Sequence, residues 1–126
     1  MTRLFWVCLG GAIGTGARYL VAGWFLRVSG PGFPWGTLAV NAVGSFLLGV
    51  ILQVSLTTKL IPPTLVPVLT TGVMGGFTTY STFNHEVLRF FEEDAWMLGF
   101  VYLGATVAGC LLAGALGLLS GRLLAG

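Results

Sequence analysis

The sequence predicts an all-α membrane protein of four transmembrane helices, the third of them broken partway through. Three observations carry this. Of 126 residues, 56% are hydrophobic and 8% are charged, whereas a soluble domain carries about 25% charge; the mean hydropathy is +0.93. Apolar segments recur at about 4–26, 36–56, 64–91 and 95–119, each near the ~20 residues that a helix needs to cross a bilayer. The third of them contains Gly72-Val73-Met74-Gly75-Gly76-Phe77-Thr78-Thr79-Tyr80-Ser81-Thr82-Phe83, which an uninterrupted membrane helix has no use for. Together these spans leave room for a single transmembrane domain over residues 1–126.

The first span follows Met1-Thr2-Arg3, a start that imitates a signal peptide. Three further apolar segments argue that it stays in the membrane. Gly10 and Gly14 lie four residues apart, on one face where another backbone can come close. Arg18 either snorkels to the interface or lines an aqueous path, and its off-centre place favours snorkelling. Ser29 to Pro34 holds two glycines and two prolines, which is turn chemistry, and Trp24 and Trp35 flank it as interfacial anchors. In the second span Thr37, Asn41 and Ser45 recur every fourth residue and share one stripe. That stripe serves equally well to join helices or to meet a solute.

The second loop ends in Pro62-Pro63, and the interrupted span follows. Glycine costs a helix ~1 kcal/mol against alanine, and Ser and Thr hydroxyls compete for backbone partners. Irregular backbone at membrane depth persists only where it is buried or lines a watery cavity. The break is therefore expected near 75–80, with freed carbonyls and hydroxyls that coordinate something. Close helix packing would explain the glycines alone, but not the hydroxyl run after them. Beyond it, Glu86 and Arg89 are spaced to pair on the helix surface, and His85 reads as an interfacial residue. In the last span Tyr102, Thr106 and Cys110 recur every fourth residue, as a polar track or as core.

A net charge of +2 gives no footing for nucleic acid. Cys8 and Cys110 fall inside apolar segments without paired spacing, so both are expected as buried free thiols. No nucleophile–base pair or metal-ligand cluster appears, which argues against an enzyme. Arg3, Lys59 and Arg122 fall on one side of four spans, and Arg27 and Arg89 on the other. With almost no positive bias to set orientation, the chain can insert both ways up, which permits an antiparallel two-fold dimer. Four helices also enclose little interior, so a pore calls for a second copy.

Through Gly10-Gly11, Gly14 and Arg18-Tyr19, Gly36-Thr37 with Asn41, and Gly75 to Phe83, the chain closely resembles the Fluc (CrcB) fluoride channels over nearly its whole length. The resemblance implies a dual-topology antiparallel homodimer in a bacterial or archaeal plasma membrane. It implies two antiparallel pores that let toxic fluoride leave the cytoplasm passively, and a structural sodium ion at the dimer centre. Carried onto this sequence, main-chain carbonyls of Gly75 and Thr78 from both subunits would hold the sodium. Asn41 takes the place of the pore asparagine, and Tyr80 and Phe83 those of two pore phenylalanines. Thr106, Cys110 and Gly114 follow the hydroxyl track, entered near Tyr102, while Glu86 and Arg18 match the acid and the arginine of the family. Tyr80, Cys110 and Gly114 depart from the usual residues.

Fluoride holds its water strongly, so its path must offer replacement donors. Asn41 supplies N–H groups, Ser81, Thr82, Tyr102 and Thr106 supply O–H groups, and Tyr80 and Phe83 offer positive ring edges. A small proton-coupled multidrug exporter is the rival reading, but it needs a carboxylate in mid-membrane, and Glu86 sits toward a helix end. A scaffold subunit whose glycine faces only pack is the other.

Overall fold

The computed structural model describes all residues, 1–126. It is helical throughout: α1 (Thr2–Ser29), α2 (Trp35–Thr57), a π-helical segment (Val68–Met74), α3 (Gly75–Phe77), α4 (Tyr80–Glu92) and α5 (Trp96–Ala125). At ~1.5 Å per residue the three long helices reach roughly 35–45 Å, more than the ~30 Å hydrocarbon core. Each is apolar enough to cross a membrane. The remaining crossing is assembled from the π-helical segment, α3 and α4. This is a multi-pass membrane protein.

The direction of each crossing follows from which residues meet. Gly10 lies against Val68 and Val73, and Gly14 against Val73 and Phe77, so α1 runs parallel to the first half of the broken crossing. Thr37 reaches Glu86 and Asn41 reaches Thr79, so α2 runs antiparallel to it. Phe46 meets Gly117 and Gln53 meets Gly121, which makes α2 and α5 parallel. The chain therefore goes up, down, up and down. Gly30, at φ 75°, ends α1 and sends its N–H back to the Leu26 carbonyl.

Two glycine seams hold the crossings together. On one, a Cβ at Gly10 would stand 2.8 Å from the Val68 oxygen, and one at Gly72 would stand 2.7 Å from the Val7 oxygen. Gly14 and Gly76 are tighter still, against the carbonyls of Val73 and Gly11. On the other seam, Gly49 lies under the Gly114 carbonyl and Gly117 under that of Phe46. In lipid, dispersion contact replaces the hydrophobic effect as the force between helices, so backbones that approach this closely matter. Only 17 of 126 residues are buried, and large apolar side chains cover the outside. The chain has a seam rather than a core. Its one buried apolar cluster is Phe83, Val87 and Tyr102, with Phe33, Phe90 and Phe91 around it.

The third crossing breaks at Thr78 (φ −91°, ψ 160°) and Thr79 (φ −151°, ψ 115°), both extended. β-Branched residues adopt this conformation readily. Before the break, Thr70 Oγ1 donates to the Val66 carbonyl at 2.8 Å, a back-bond that bends helices, and the chain widens into the π-helical segment. After it, Thr79 Oγ1 accepts from the Thr82 N–H at 3.3 Å and caps α4.

These seams predict a contrast between two alanines. Gly14→Ala places a methyl group inside a neighbouring carbonyl and is expected to destabilise by about 1–3 kcal/mol, the usual cost of overpacking. Gly23 has open space around it, so Gly23→Ala should be neutral or raise the thermal midpoint slightly. Thermal unfolding of both variants in detergent checks the difference.

Candidate functional site: the break and the groove beside it

Opening a helix strands its backbone groups, and the sequence supplies a partner for most of them. Asn41 of α2 reaches Thr79 with both ends of its amide: Nδ2 donates to the Thr79 carbonyl at 3.0 Å, and Oδ1 accepts the Thr79 N–H at 2.7 Å. On the α1 side, Arg18 Nε donates to the Gly76 carbonyl at 3.0 Å. Arg18 thus turns inward to the break rather than snorkelling to the interface. An orphan carbonyl in hydrocarbon holds the guanidinium more strongly than a longer reach to water does. Thr78 N–H and Oγ1 both return to the Met74 carbonyl, at 3.0 and 3.1 Å, while the Thr78 methyl seats against Gly44. The carbonyls of Gly75 and Thr78 are left over, and neither accepts a hydrogen bond.

Those two residues face a groove of about 490 Å³. Asn41 and Ser45 line it from α2, Tyr80 and Phe83 from α4, and Thr106 and Cys110 from α5; no charged side chain does. The glycines of the interrupted stretch divide by role: Gly72 and Gly76 pack against α1, whereas Gly75 is exposed toward the groove.

Most hydroxyls that border the groove have already given away their proton. Ser45 Oγ donates to the Asn41 carbonyl at 2.7 Å, Thr70 and Thr78 donate to backbone, and Thr79 Oγ1 donates to Thr82 Oγ1 at 3.0 Å. Thr106 is different: it is 5% exposed and its Oγ1 has no partner. The second N–H of Asn41, the Cys110 S–H and the Tyr80 O–H are therefore left uncommitted at the groove, and the Thr106 O–H is unpartnered but enclosed.

Ser81 and Thr82, expected as donors, lie on the exposed side of α4 and do not line the groove. Thr82 closes the cap instead. Glu86 does not pair with Arg89. Its Oε1 accepts from Tyr102 Oη at 2.8 Å and its Oε2 from Thr37 Oγ1 at 3.1 Å, while Arg89 pairs with Glu93 at 3.1 Å on the surface. The turn from i+3 to i+4 and the two buried hydroxyls explain the exchange of partners. Tyr102 is wholly buried and packs edge-on against Phe83, ring centres 5.2 Å apart; Phe83 in turn meets the exposed Tyr80 ring at 5.8 Å. Of the two cysteines, both free, Cys8 lies exposed on α1 rather than buried, and Cys110 is half-buried.

Gly44 and Thr79 belong to this site without being marked by the side-chain pattern, and Thr37, a member of the Asn41 stripe, serves it through Glu86. Thr37 stands one turn before Asn41 on the same stripe and Gly44 close to the turn after it. Thr79 sits inside the hydroxyl run, but its part is played by the backbone, which a side-chain pattern does not report.

A membrane helix opened at mid-length, with its loose ends held by an amide and a guanidinium beside an uncharged groove, defines a membrane protein built around a solute site. Comparison with known proteins gives the family. The family model described as "CrcB-like protein, Camphor Resistance (CrcB)" matches residues 5–118, and this chain belongs to that family. A protein of Sorangium cellulosum named "Fluoride-specific ion channel FluC" is 53% identical over the full length of both chains. One of the same name from Anaeromyxobacter sp. strain K is 54% identical, again over the full length of both. Another from Geobacter metallireducens is 45% identical over 97% of this chain and 98% of its own.

The Asn41 clamp makes a stability prediction apart from any transport. Asn41→Leu removes both bonds and leaves the Thr79 N–H and carbonyl unpaired, an expected loss on the order of 2–5 kcal/mol. Ser45→Ala removes only a back-bond to a helix carbonyl and should cost under about 1 kcal/mol. Thermal midpoints of the two purified variants should fall in that order.

Proposed function

We propose that this chain is a fluoride channel, passing the ion passively along the groove and so relieving the cytoplasm of it. It is not an enzyme. The observation that carries this is the donor set: the uncommitted N–H of Asn41 and the unpartnered, enclosed O–H of Thr106 at a groove with no fixed charge. A small anion that leaves water needs strong donors in its place. A path that lets it leave again must not hold it by a full charge. Thr106 Oγ1 supplies a donor that nothing in the chain uses. Phe83 and Tyr80 line the same groove, and their ring edges would supply weak positive potential in an apolar passage. The naming of the relatives as fluoride-specific channels supports the choice of ion.

In this reading two copies insert in opposite senses, cover each other's open grooves and form two antiparallel pores. The weak asymmetry of basic residues and the small buried fraction of the single chain support it. The unpaired Gly75 and Thr78 carbonyls fit a hard monovalent cation, which takes oxygen ligands, and two chains would provide a set of four. A sodium ion held there would fasten the two breaks together and raise the potential for anions nearby. Arg18 and Asn41 would keep those carbonyls in place by holding Gly76 and Thr79, the residues that follow them. Glu86, tied to Thr37 and Tyr102, lies outside the groove. No carboxylate is therefore positioned to exchange protons with a drug in it, which disfavours a proton-coupled exporter.

The test is reconstitution of the purified protein into vesicles loaded with fluoride or with chloride, followed by ion-selective electrodes. Rapid fluoride efflux with little chloride efflux is expected, and vesicles tight to fluoride would overturn the proposal. Thr106→Val should slow fluoride about tenfold or more, because a hydrogen bond to a charged partner is worth ~1.5–3 kcal/mol. Thr70→Val, whose hydroxyl is already spent on the Val66 carbonyl, should leave the rate close to that of the parent.

A further inference from the structure

At the end of the molecule where α1 begins, α1 and the start of the broken crossing leave a second groove of about 600 Å³ between them. The two segments run parallel there, since Gly10 packs against Val68, and both change character in the same direction. Thr2 and Arg3 stand at the mouth from α1, and Thr64 from the second loop. Trp6 follows one turn further along α1, ~6 Å into the membrane, and Leu65 and Val68 continue the opposite wall. Polar at the mouth and apolar beneath is the profile of the membrane interface itself.

The mouth offers donors and no acid. The Arg3 guanidinium, the Thr2 and Thr64 hydroxyls and the Trp6 indole N–H are spent on no other group of the chain, whose one ion pair is Arg89 with Glu93 at the far end. All four acidic side chains, Glu86, Glu92, Glu93 and Asp94, lie on α4 or in the turn after it. Lys59 and Arg122 add positive charge at the end where the groove opens. We propose that this groove binds an anionic phospholipid, its phosphate held by Arg3 with Thr2 and Thr64 and an acyl chain laid along Trp6, Leu65 and Val68. A guanidinium fork matches the oxygens of a phosphate, and basic pockets beside membrane helices take such headgroups. A free phosphate would meet the donors but leave the apolar walls uncovered. A choline or ethanolamine headgroup would find no carboxylate for its cation and two basic residues nearby. The inference stands apart from the channel reading, since it needs only that the chain crosses a membrane.

Trp6 is the one tryptophan at this end, because Trp24, Trp35 and Trp96 lie at the other, and its fluorescence reports the occupant. The whole chain is reconstituted in phosphatidylcholine vesicles. Rising fractions of phosphatidylglycerol or phosphatidylcholine, each brominated near the glycerol end of its chains, then replace the host lipid. The Trp6 signal is that of the parent less that of Trp6→Phe. Half-quenching should need about fivefold less brominated phosphatidylglycerol than brominated phosphatidylcholine, the preference that one basic side chain near a bilayer surface confers. Arg3→Gln should bring the two curves together, and Thr64→Val, which leaves the charge unchanged, should narrow the gap. Lys59→Gln should leave it as it is. Coincident curves for the parent would overturn the proposal, as would a gap that survives both Arg3→Gln and Thr64→Val. An equal loss in Lys59→Gln would mean diffuse attraction to the surface instead of a built site. Quenching by neither lipid would mean that a second copy covers the groove, and loss of the gap on adding millimolar inorganic phosphate would mean a site for the free anion; each of these also overturns it.

Discussion

The structure depends on one side chain behaving as a piece of backbone. In hydrocarbon each unsatisfied peptide group costs several kcal/mol, which is why membrane crossings are normally unbroken helices. Here the crossing opens at Thr78 and Thr79, and Asn41 supplies what a neighbouring β-strand would: one acceptor for the Thr79 N–H and one donor for its carbonyl. No other uncharged side chain but glutamine carries donor and acceptor side by side. The longer glutamine would place them a methylene further from α2. With Arg18 on the Gly76 carbonyl, the break becomes a fixed shape rather than a defect.

That shape also explains where the glycines fall. The first half of the broken crossing belongs to α1, against which it packs through Gly10, Gly14, Gly72 and Gly76. The second half, α4, belongs to α5, through Phe83, Val87 and Tyr102 and the pairing of Phe91 with Gly99. The break is the joint between two packed units, and α2 spans it, with Asn41 and Gly44 at the joint and Thr37 beside Glu86. A larger residue at Gly44 would displace the Thr78 methyl and, with it, the carbonyl next along the chain. Packing and site are therefore coupled at the level of single atoms.

Much of this was legible in the sequence, because the membrane constrains pattern so strongly. Four apolar stretches and a glycine-rich interruption were enough to place a break in the third crossing near 75–80; that it faces Asn41 of α2 is seen only in the structure. Partners were harder to read. Arg18 sits off centre, where snorkelling is the general expectation, and only the orphan Gly76 carbonyl draws it inward. Glu86 and Arg89 stand at a permitted pairing distance along one helix, yet two hydroxyls from α2 and α5 reach the carboxylate first. The hydroxyl run overstated the donors: Thr78 spends its proton on the Met74 carbonyl and Thr79 on Thr82 Oγ1, as short polar side chains do, and Thr82 lies off the groove. Spacing reports which residues share a face. It does not report which proton is already taken.

This last point bears on how an uncharged groove would select its ion. If every hydroxyl around it were free, a larger anion would find donors as readily as a small one. With most of them committed, the remaining N–H and O–H groups are few and separated, so only an ion able to draw a short, strong bond from each is compensated for lost water. A single chain leaves that groove open along one side, with Gly75 exposed toward it. The inward turn of Arg18 removes it from the count of basic residues near the interfaces. Arg3, Lys59 and Arg122 then face Arg27 and an Arg89 already paired with Glu93. Acids weigh little in orientation, so three against two is a bias too weak to forbid either sense of insertion. Two copies in opposite senses would bring like breaks face to face, and the carbonyls that no residue of one chain satisfies would find their common partner between them.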